Sequence, residues 1–410
     1  MVTVNLLTWN IQNLGPTKSG ITYNNYDVVR AIAKQVVDAG ADIFCLLELP
    51  TTQGATAAAV AGIVRTALHA YAHGLGRNEW NTCVLSPNTG REFYAFFVRD
   101  TTFTVPLPVT GPAGPFGAPH TLGGGYTALT AAVFTRKTGA GVLAEHFPLL
   151  LPDLDMISYM GRNLGVPDWP AVRAPVLGLF WVPGAAAGNR LLPIWACHFA
   201  ADATKAGHQL NAMRWFSLLW KLNLGAPPVQ LQVDRNGNGV PAAVATNEYV
   251  VTGDFNIDYL GQRWSYSPLD QPGPRRLNAT GWIGEETHLV TYGGWSRAMK
   301  TTGDLAVNAY DNFFTRVSAA TATAVTPANP TVHDVPDAVR RRRLRLGASV
   351  QHYADLDQRG FTGKHPYQDF VTNYTSQIGG DRGNDITVKG ALVGGRLISD
   401  HLPVSLQITL

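Results

Sequence analysis

Apolar and polar residues alternate along this chain with two periods, one typical of strands and one typical of helices. Residues 4–9, 42–47 and 92–99 are short apolar runs bounded by polar residues, which indicates strands. Between the first two runs, residues 26–39 place valine and isoleucine at helical spacing. Residues 55–72 form a second helical segment, rich in alanine. The chain is therefore predicted to begin strand, helix, strand, helix, strand.

The first predicted helix has recognisable end signals. Asn24 or Asn25 is a candidate N-terminal cap, because a short polar side chain accepts a hydrogen bond from the free N–H groups of the first turn. Gly40 is the expected stop, because glycine adopts the left-handed conformation that ends many helices. Later in the chain a third helix is predicted at residues 204–222, and further strands are predicted at residues 175–182, 191–198, 248–251 and 404–408.

This order predicts an α/β fold of packed β-sheets flanked by helices, and not a doubly wound nucleotide-binding fold. The glycines at positions 123–125 lack the spacing of a dinucleotide or P-loop phosphate site, so no organic cofactor is expected. Two long stretches, about residues 101–169 and 318–380, interrupt the pattern. They are predicted to be insertions into a single domain that spans residues 1–410.

Composition narrows the class of protein. Of the 410 residues, 45% are hydrophobic and 15% are charged, which is typical of a well-packed globular chain. The formal net charge of +3 is too small to predict nucleic-acid binding by itself. No apolar run reaches the roughly 18 residues of a membrane span. The first residues lack the basic and apolar segments of a secretory signal, which agrees with a cytoplasmic protein or with a trimmed secreted form. The three cysteines cannot all pair, so buried thiols are expected.

Polar residues that could take part in catalysis stand at the ends of the predicted strands. In chain order they are Asn10, Glu48, Glu92, His198, Asp254, Asn256, Asp311, Asp400 and His401. Carboxylates hold a hard divalent cation, an amide orients a phosphoryl oxygen, and an imidazole moves a proton near neutral pH. Each residue alone has an ordinary explanation as a turn former, a helix cap or a hydrogen-bonded core residue. Their recurrence at successive strand ends predicts metal-dependent hydrolysis of a phosphate ester.

Six short segments that contain these residues resemble the motifs of the endonuclease/exonuclease/phosphatase superfamily, in the family's order. They are Thr8-Trp9-Asn10-Ile11-Gln12, Leu47-Glu48, Ala196-Cys197-His198, Gly253-Asp254-Phe255-Asn256, Tyr310-Asp311-Asn312-Phe313 and Ser399-Asp400-His401. The resemblance extends over nearly the whole chain. It implies a four-layered α/β sandwich of the DNase I-like type, in which two packed mixed β-sheets are flanked by helices and the site lies at one edge. It also implies metal-dependent hydrolysis of a phosphodiester or a phosphomonoester.

The resemblance implies a Mg²⁺ or Mn²⁺ site and, beside it, a phosphate site. Glu48 corresponds to the principal metal ligand and Asn10 to an assisting ligand. Asp400 corresponds to a residue that supports the metal or the adjacent histidine. Asp254 and Asn256 correspond to residues that flank the phosphate and orient water and a phosphoryl oxygen.

Two histidine–carboxylate pairs are also implied by the resemblance. His401 is expected to pair with Asp311 near the attacking water, and His198 with Glu92 near the leaving group. A carboxylate fixes the tautomer of a histidine and raises its pKa, so such pairs suit a general base and a general acid. Some family members assign the base role to the aspartate of the Gly-Asp-Phe-Asn segment, so both assignments stay open here. Arg173 resembles a phosphate-contacting arginine of DNase I-like members.

Some of these residues also narrow the range of candidate substrates. Glu92, His198 and Arg173 together most resemble DNase I-like nucleases, so the leading expectation is an endonuclease that acts on DNA. A sphingomyelinase-like or inositol-phosphate phosphoesterase is the alternative within the same chemistry. An inactive binding protein of the same fold is disfavoured, because the expected metal ligand and catalytic residues are all retained. Asn312 stands where DNase I-like members often have arginine, which puts phosphate binding at that position in doubt.

Two further segments admit more than one interpretation. Residues 340–345 include five arginines, which form either a solvated helix face or a contact to a nucleic-acid backbone. Residues 234–239 resemble the start of a calcium-binding loop, but Ala245 occupies the twelfth position, where a bidentate glutamate is needed. A plain turn and a weak structural Ca²⁺ site are both considered for that loop.

Overall fold

The structure of the chain is a computed structural model, which describes residues 2–22, 26–50, 54–77, 80, 82–86, 92–99, 109–113, 119–122, 127–128, 148–150, 173, 176–182, 190–202, 204–207, 209, 229–233, 242–246, 249–258, 286–289, 306–316, 326–341, 343–344 and 394–409. Its strands are β1 (Thr3–Asn10), β2 (Ile43–Pro50), β3 (Thr82–Leu85), β4 (Glu92–Val98), β5 (Val109–Ala113), β6 (Pro119–Leu122), β7 (Thr127–Ala128), β8 (Pro148–Leu150), β9 (Val176–Val182), β10 (Arg190–His198), β11 (Val229–Val233), β12 (Ala242–Thr246), β13 (Tyr249–Asp254), β14 (His288–Leu289), β15 (Ala306–Asn308), β16 (Asp311–Arg316), β17 (Thr326–Val332) and β18 (Val404–Thr409). Its helices are α1 (Asp27–Asp38), α2 (Gly54–Gly74) and α3 (Val335–Arg340).

Two mixed β-sheets pack against each other at the centre of the fold. The larger sheet has the strand order β17-β18-β1-β2-β4-β3-β7, and the smaller has the order β16-β13-β10-β9-β8. Strands β1 and β2 run parallel in the first sheet, as do β10 and β13 in the second. The other neighbours in these two sheets pair antiparallel. The prediction of an α/β fold with two mixed sheets is therefore confirmed. Further pairing occurs in the order β12-β11-β5-β6 and between β14 and β15.

The larger sheet is buried on both faces, which explains why its strands are nearly continuous apolar runs. Successive residues of a strand point to opposite faces. Along β4, Ala95 and Phe97 therefore pack in the core that includes α1 and α2, whereas Tyr94 and Phe96 pack in the core shared with the smaller sheet. In that second core the Phe96 ring lies 5.5 Å from the ring of Phe180 on β9. All three cysteines are free and buried, as expected.

Helix α1 ends as predicted but begins differently. Gly40 has a φ of +69°, and the N–H groups of Gly40 and Ala41 donate to the carbonyls of Val37 and Val36, respectively. These are the paired hydrogen bonds of a Schellman motif, which require the left-handed conformation that glycine adopts without strain. At the other end, Tyr26 occupies the N-cap position and makes no capping hydrogen bond through its side chain. The predicted asparagine cap is therefore wrong, because the first turn starts directly after a tyrosine.

Part of the predicted second insertion belongs to the larger sheet. Strand β17 pairs antiparallel with β18 at the sheet edge, and Val335 and Val339 of α3 are buried in the same core as α1 and α2. Residues 326–340 therefore add a strand and a helix to the main body, and the predicted bounds of the insertion stay a prediction. In the predicted first insertion, β7 and β8 likewise pair with strands of the two main sheets.

Two other predictions fall largely or wholly outside the described residues. Of the helix predicted at 204–222, residues 204–207 are helical and most of the remainder lies outside the description. The candidate calcium loop at 234–239 lies outside it completely. None of the helices in the described part of the chain combines the length and apolar character that crossing a bilayer requires.

Candidate active site

The strand arrangement brings the predicted polar residues to one edge of the two sheets. Parallel neighbours end at the same edge of a sheet, so Asn10 at the end of β1 lies near Glu48 on β2, and His198 at the end of β10 pairs in register with Asp254 at the end of β13. Antiparallel neighbours begin at that edge, which is where β4 starts at Glu92 and β16 at Asp311, and where His401 lies shortly before β18 begins at Val404. Near this edge the two sheets are joined by a buried hydrogen bond of 2.9 Å between the hydroxyls of Thr8 on β1 and Thr252 on β13.

One histidine–carboxylate pair lies between β16 and the segment before β18. His401 Nδ1 is 2.8 Å from Asp311 Oδ2, and both side chains are buried. Thr287 Oγ1 donates to the same Asp311 oxygen at 2.9 Å. The backbone of His401 is also held, since its carbonyl accepts from Trp9 Nε1 at 2.8 Å and its N–H donates to Ser399 Oγ at 3.0 Å. The proton on Nδ1 is thus directed to the carboxylate, and Nε2 is the nitrogen left to face the site.

The second pair lies between β4 and β10. His198 Nδ1 is 2.6 Å from Glu92 Oε1, and both side chains are buried. Arg173 Nη1 lies 2.8 Å from His198 Nε2 and also donates to the carbonyl of Phe199 at 2.8 Å. A guanidinium can only donate, so this contact requires the neutral imidazole with its proton on Nδ1. Arg173 therefore covers the reactive nitrogen of His198 in this conformation.

Asp254 lies between the two pairs. Its Oδ2 is 3.4 Å from His198 Nε2 and 3.5 Å from His401 Nε2. The same oxygen accepts from Asn10 Nδ2 at 2.9 Å and from Asn256 Nδ2 at 3.1 Å. Asn256 has a φ of 50°, a conformation that asparagine tolerates better than most residues, and this backbone allows its own N–H to donate to Asp254 Oδ1 at 2.8 Å. Two imidazoles and two amides thus converge on one carboxylate.

Burial and neighbouring charges act in opposite directions on the two histidines. Burial alone lowers the pKa of His401, but the carboxylates of Asp311 and Asp254 raise that pKa well above its usual value. The pKa of His198 is likewise lowered by burial and raised overall by Glu92 and Asp254. The pKa of Asp311 is raised, because burial outweighs the favourable charge of His401. These carboxylates therefore favour the protonated form of both histidines, which can supply a proton, whereas the contact of Arg173 with His198 Nε2 is made with the neutral ring.

Glu48 and Asp400 carry the oxygens suited to a divalent cation. Glu48 has a φ of 65° at an irregularity of β2 between Leu46 and Leu49, which turns its backbone out of the regular strand geometry. Asp400 is 8% exposed; its Oδ2 accepts from Gln12 Nε2 at 2.7 Å, whereas its Oδ1 is buried without a hydrogen-bond partner. Carboxylate oxygens are the ligands that Mg²⁺ and Mn²⁺ prefer, so these residues fit the cation that the resemblance implies.

The charges around these carboxylates agree with that fit. Burial raises the pKa of Glu48; the charge of His198 lowers this pKa, and the nearby carboxylates of Glu92 and Asp400 raise it. A cation at this place would offset the crowding of negative charge. Asn10, predicted to assist the metal, uses both ends of its amide within the protein: Nδ2 donates to Asp254 and Oδ1 accepts from the N–H of Gln12 at 3.0 Å. In this arrangement Asn10 orients Asp254, and metal ligation by Asn10 stays a prediction.

Sequence reasoning missed four residues at this site. Thr287 supports Asp311, and Gln12 supports Asp400. Lys18 is 5% exposed, and its ammonium donates to the carbonyls of Ile11 and Gln12 at 3.0 and 2.6 Å. His288 lies against His401, with ring centroids 4.9 Å apart. Gln12 lies within a quoted motif, but the other three lie in loops or in a two-residue strand, where no periodicity marks them.

Comparison with known families agrees with this architecture. The family model described as Endonuclease/Exonuclease/phosphatase family matches residues 7–401. The chain belongs to the endonuclease/exonuclease/phosphatase family. Members of this family are phosphate-ester hydrolases, and the match includes the residues from Asn10 to His401 that converge at the sheet edge.

Solved structures similar to the chain include other members of the family. An endonuclease/exonuclease/phosphatase from Bacteroides vulgatus is 13% identical with a TM-score of 0.44, and each chain is covered completely. TDP2 from D. rerio, complexed with a single-strand DNA product, is 12% identical with a TM-score of 0.43, again with complete coverage of both chains. A mannosyl-6-phosphatase from Bacteroides thetaiotaomicron is 11% identical with a TM-score of 0.42, covering 99% of this chain and 100% of the other. No curated protein matches the chain.

The arginines at 340–345 are partly engaged within the protein. Arg340, Arg341 and Arg343 donate to the carboxylate of Asp337 at 2.8, 2.9 and 2.6 Å, respectively. The side chains of Arg341 and Arg343 are each 59% exposed. One carboxylate thus holds three guanidinium groups at the end of α3, and the exposed faces of two of them remain open to solvent.

Proposed function

We propose that this chain is a Mg²⁺-dependent phosphodiesterase that acts on DNA as a DNase I-like endonuclease. The observation that carries the proposal is the convergence of His198 Nε2 and His401 Nε2 on Asp254 Oδ2, at 3.4 and 3.5 Å. Hydrolysis of a diester needs a proton removed from water and a proton supplied to a poor leaving oxygen. Two buried histidine–carboxylate pairs on either side of Asp254 provide both groups.

The roles of the two pairs follow from their surroundings. We assign His401, oriented by Asp311, to accept the proton of the attacking water at Nε2, and Asp254 to orient that water. We assign His198, oriented by Glu92, to donate a proton to the leaving oxygen. Arg173 covers His198 Nε2 in the free protein, and an arginine that moves onto a phosphoryl oxygen would release this nitrogen for protonation.

We assign the cation to two further carboxylates. Glu48 and Asp400 would hold Mg²⁺ or Mn²⁺, and its charge, when it is bound, would stabilise the negative charge that develops on the phosphoryl oxygens. Asn10 and Asn256 hold Asp254 in place through their amide groups.

DNA is favoured as the substrate by the set of Glu92, His198 and Arg173, which resembles that of DNase I-like nucleases. The guanidinium of Arg173 lies close to both members of the pair, with Nε 3.6 Å from Glu92 Oε2. The exposed faces of Arg341 and Arg343 add positive charge that a nucleic-acid backbone could contact. A sphingomyelinase-like or inositol-phosphate activity would use the same catalytic residues on a different ester.

Nicking of supercoiled plasmid DNA tests the proposal. Assays with Mg²⁺, with Mn²⁺ and with EDTA should show nicking that depends on the cation. His401→Ala and His198→Ala should each lower the rate by about 10²–10⁴-fold, the usual effect of removing a general base or acid. His73→Gln, at an exposed histidine of α2, is the matched control and should retain full activity.

Parallel assays distinguish which ester the protein hydrolyses from whether the two histidines are needed for hydrolysis. Sphingomyelin, inositol phosphates and bis(p-nitrophenyl) phosphate are incubated with the same variants. Nicking that is lost in both active-site variants and kept in the control supports the nuclease assignment. Absence of nicking, together with histidine-dependent hydrolysis of a lipid or inositol ester, would replace DNA by that substrate. Absence of hydrolysis of every ester would overturn the proposed function.

A further inference from the structure

His288 is a third histidine, which lies beside the proposed catalytic pair of His401 and Asp311. It has no part in the chemistry described above. The backbone fixes its position: Leu289 N donates to Asp400 O at 2.7 Å, Leu402 N donates to Thr287 O at 2.7 Å, and His288 forms a bridge with His401. The His288 ring stands edge-on to the His401 ring, with an interplanar angle of 87°. The segment that carries His288 is thus joined to the Ser-Asp-His motif by main-chain hydrogen bonds.

The side chains of this segment form a compact set of ligand atoms. His288, Asp400 and His401 each offer one nitrogen or oxygen, and these atoms all lie within 4.8 Å of one another. His288 Nε2 is 3.4 Å from Asp400 Oδ2, and His401 Nε2 is 3.8 Å from Asp400 Oδ1. Ligands bound about 2.1 Å from a shared cation are roughly 3 to 3.5 Å apart, so small movements of the side chains would bring these atoms into coordination distance.

Two features of the set indicate a cation and not only a hydrogen-bond network. Asp400 is 8% exposed, and its buried Oδ1 has no hydrogen-bond partner although it lies on the side of His401. His401 already directs its Nδ1 to Asp311 at 2.8 Å, the carboxylate–histidine arrangement that orients Nε2 toward a metal. Two positive charges oppose a cation here: Arg396, whose Nη2 lies 3.9 Å from Asp400 Oδ2, the other oxygen of the carboxylate, and Lys18, whose ammonium also interacts with Asp400.

The types of ligand atom in this set indicate which cation would bind. Mg²⁺ prefers oxygen ligands, whereas two imidazoles and one carboxylate are a common ligand set for Zn²⁺. We propose that His288, Asp400 and His401 form a zinc-class cation site that shares Asp400 with the proposed Mg²⁺ site, and that zinc bound there inhibits the enzyme by occupying His401 Nε2. The inhibitory part rests on the proposed function; the binding part does not.

Zinc binding is measured first without any substrate. Isothermal titration of the metal-free protein with Zn²⁺ should show a site that is weakened at least tenfold in His288→Phe, which keeps an aromatic ring against His401 and removes the ligand nitrogen. His288→Asn is a second variant, and circular dichroism and thermal melting of both verify that the fold is retained. His73→Gln is the matched control, because His69 and His73 lie four residues apart on α2, with ring centroids 6.1 Å apart, and offer a histidine pair distant in sequence from the proposed site.

The outcomes separate this proposal from the proposed function. A loss of zinc affinity in both His288 variants, with normal affinity in His73→Gln, supports the site whether or not DNA is hydrolysed. Unchanged affinity in folded His288 variants, or loss in His73→Gln instead, overturns it. If hydrolysis is found, the zinc concentration for half-inhibition, measured relative to each protein's own zinc-free rate, should rise at least tenfold in His288→Phe. An unchanged inhibitory concentration would overturn the inhibitory part.

Discussion

Replacement of Gly253 by alanine tests whether the close approach of β10 and β13 holds the site together. Gly253 has a φ of +135°, and a Cβ atom at this position would lie 1.9 Å from the carbonyl oxygen of Cys197 and 2.9 Å from its carbonyl carbon. Real contacts between such atoms are about 3.3 Å, so the strands would have to separate locally by more than about 1 Å. The positive φ adds about 1–3 kcal/mol of backbone strain. We therefore expect Gly253→Ala to lower the free energy of unfolding by about 3–5 kcal/mol, at the upper end for single substitutions.

The same displacement should also affect activity, because the next register pair is His198 with Asp254. Urea unfolding followed by tryptophan fluorescence measures the stability, and cation-dependent hydrolysis measures the site. Gly62→Ala is the matched control: this glycine lies in α2 with no other atom within 4 Å of an added Cβ, so alanine should stabilise the protein by roughly 0.5–1 kcal/mol. A Gly253→Ala protein as stable as the wild type would refute the steric argument.

Three further predictions concern buried or partly buried polar groups. Burial lowers the pKa of His333 from 6.5 to about 4, so the unfolded chain binds more protons than the native state between these pH values, and stability should fall as the pH drops through this window by up to about 3 kcal/mol. Urea unfolding at pH 7 and pH 4.5 should show a smaller loss for His333→Gln, and an equal loss would contradict the assignment. Thr8→Val should cost about 1–3 kcal/mol, because Thr252 Oγ1 loses its buried partner, and the double variant with Thr252→Val should recover part of that cost; no recovery in a double-mutant cycle would argue against coupling of the sheets through these hydroxyls. Asp311→Asn removes a charge that raises the pKa of His401, so the acidic limb of the rate–pH profile should move to lower pH while the rate falls, and an unmoved limb would show that another group titrates there.

Much of the fold follows from local pattern in the sequence. The helical spacing of residues 26–39 and the alanine-rich segment 55–72 correspond to α1 and α2, because burying one face of a helix requires that spacing. The polar residues at strand ends were recognisable for a related reason: an apolar run stops where the chain leaves the core. The pattern could not show that β17 belongs to the larger sheet, since its residues Thr326–Val332 include two prolines and little apolar periodicity. Its place depends on pairing with β18, a contact between distant parts of the chain.

The tertiary structure alone decided how the candidate residues meet. Asn10 and Asp254 are separated by 244 positions in the chain, and the packing of β1 in the larger sheet against β13 in the smaller sheet brings their side chains within 2.9 Å. His288 carries no local signal at all; main-chain hydrogen bonds to the segment around Asp400 place it against the catalytic pair. Periodicity records which residues a strand buries, because burial is a property of each element. Distances between side chains of different strands are set by sheet register, which the linear order of residues does not contain.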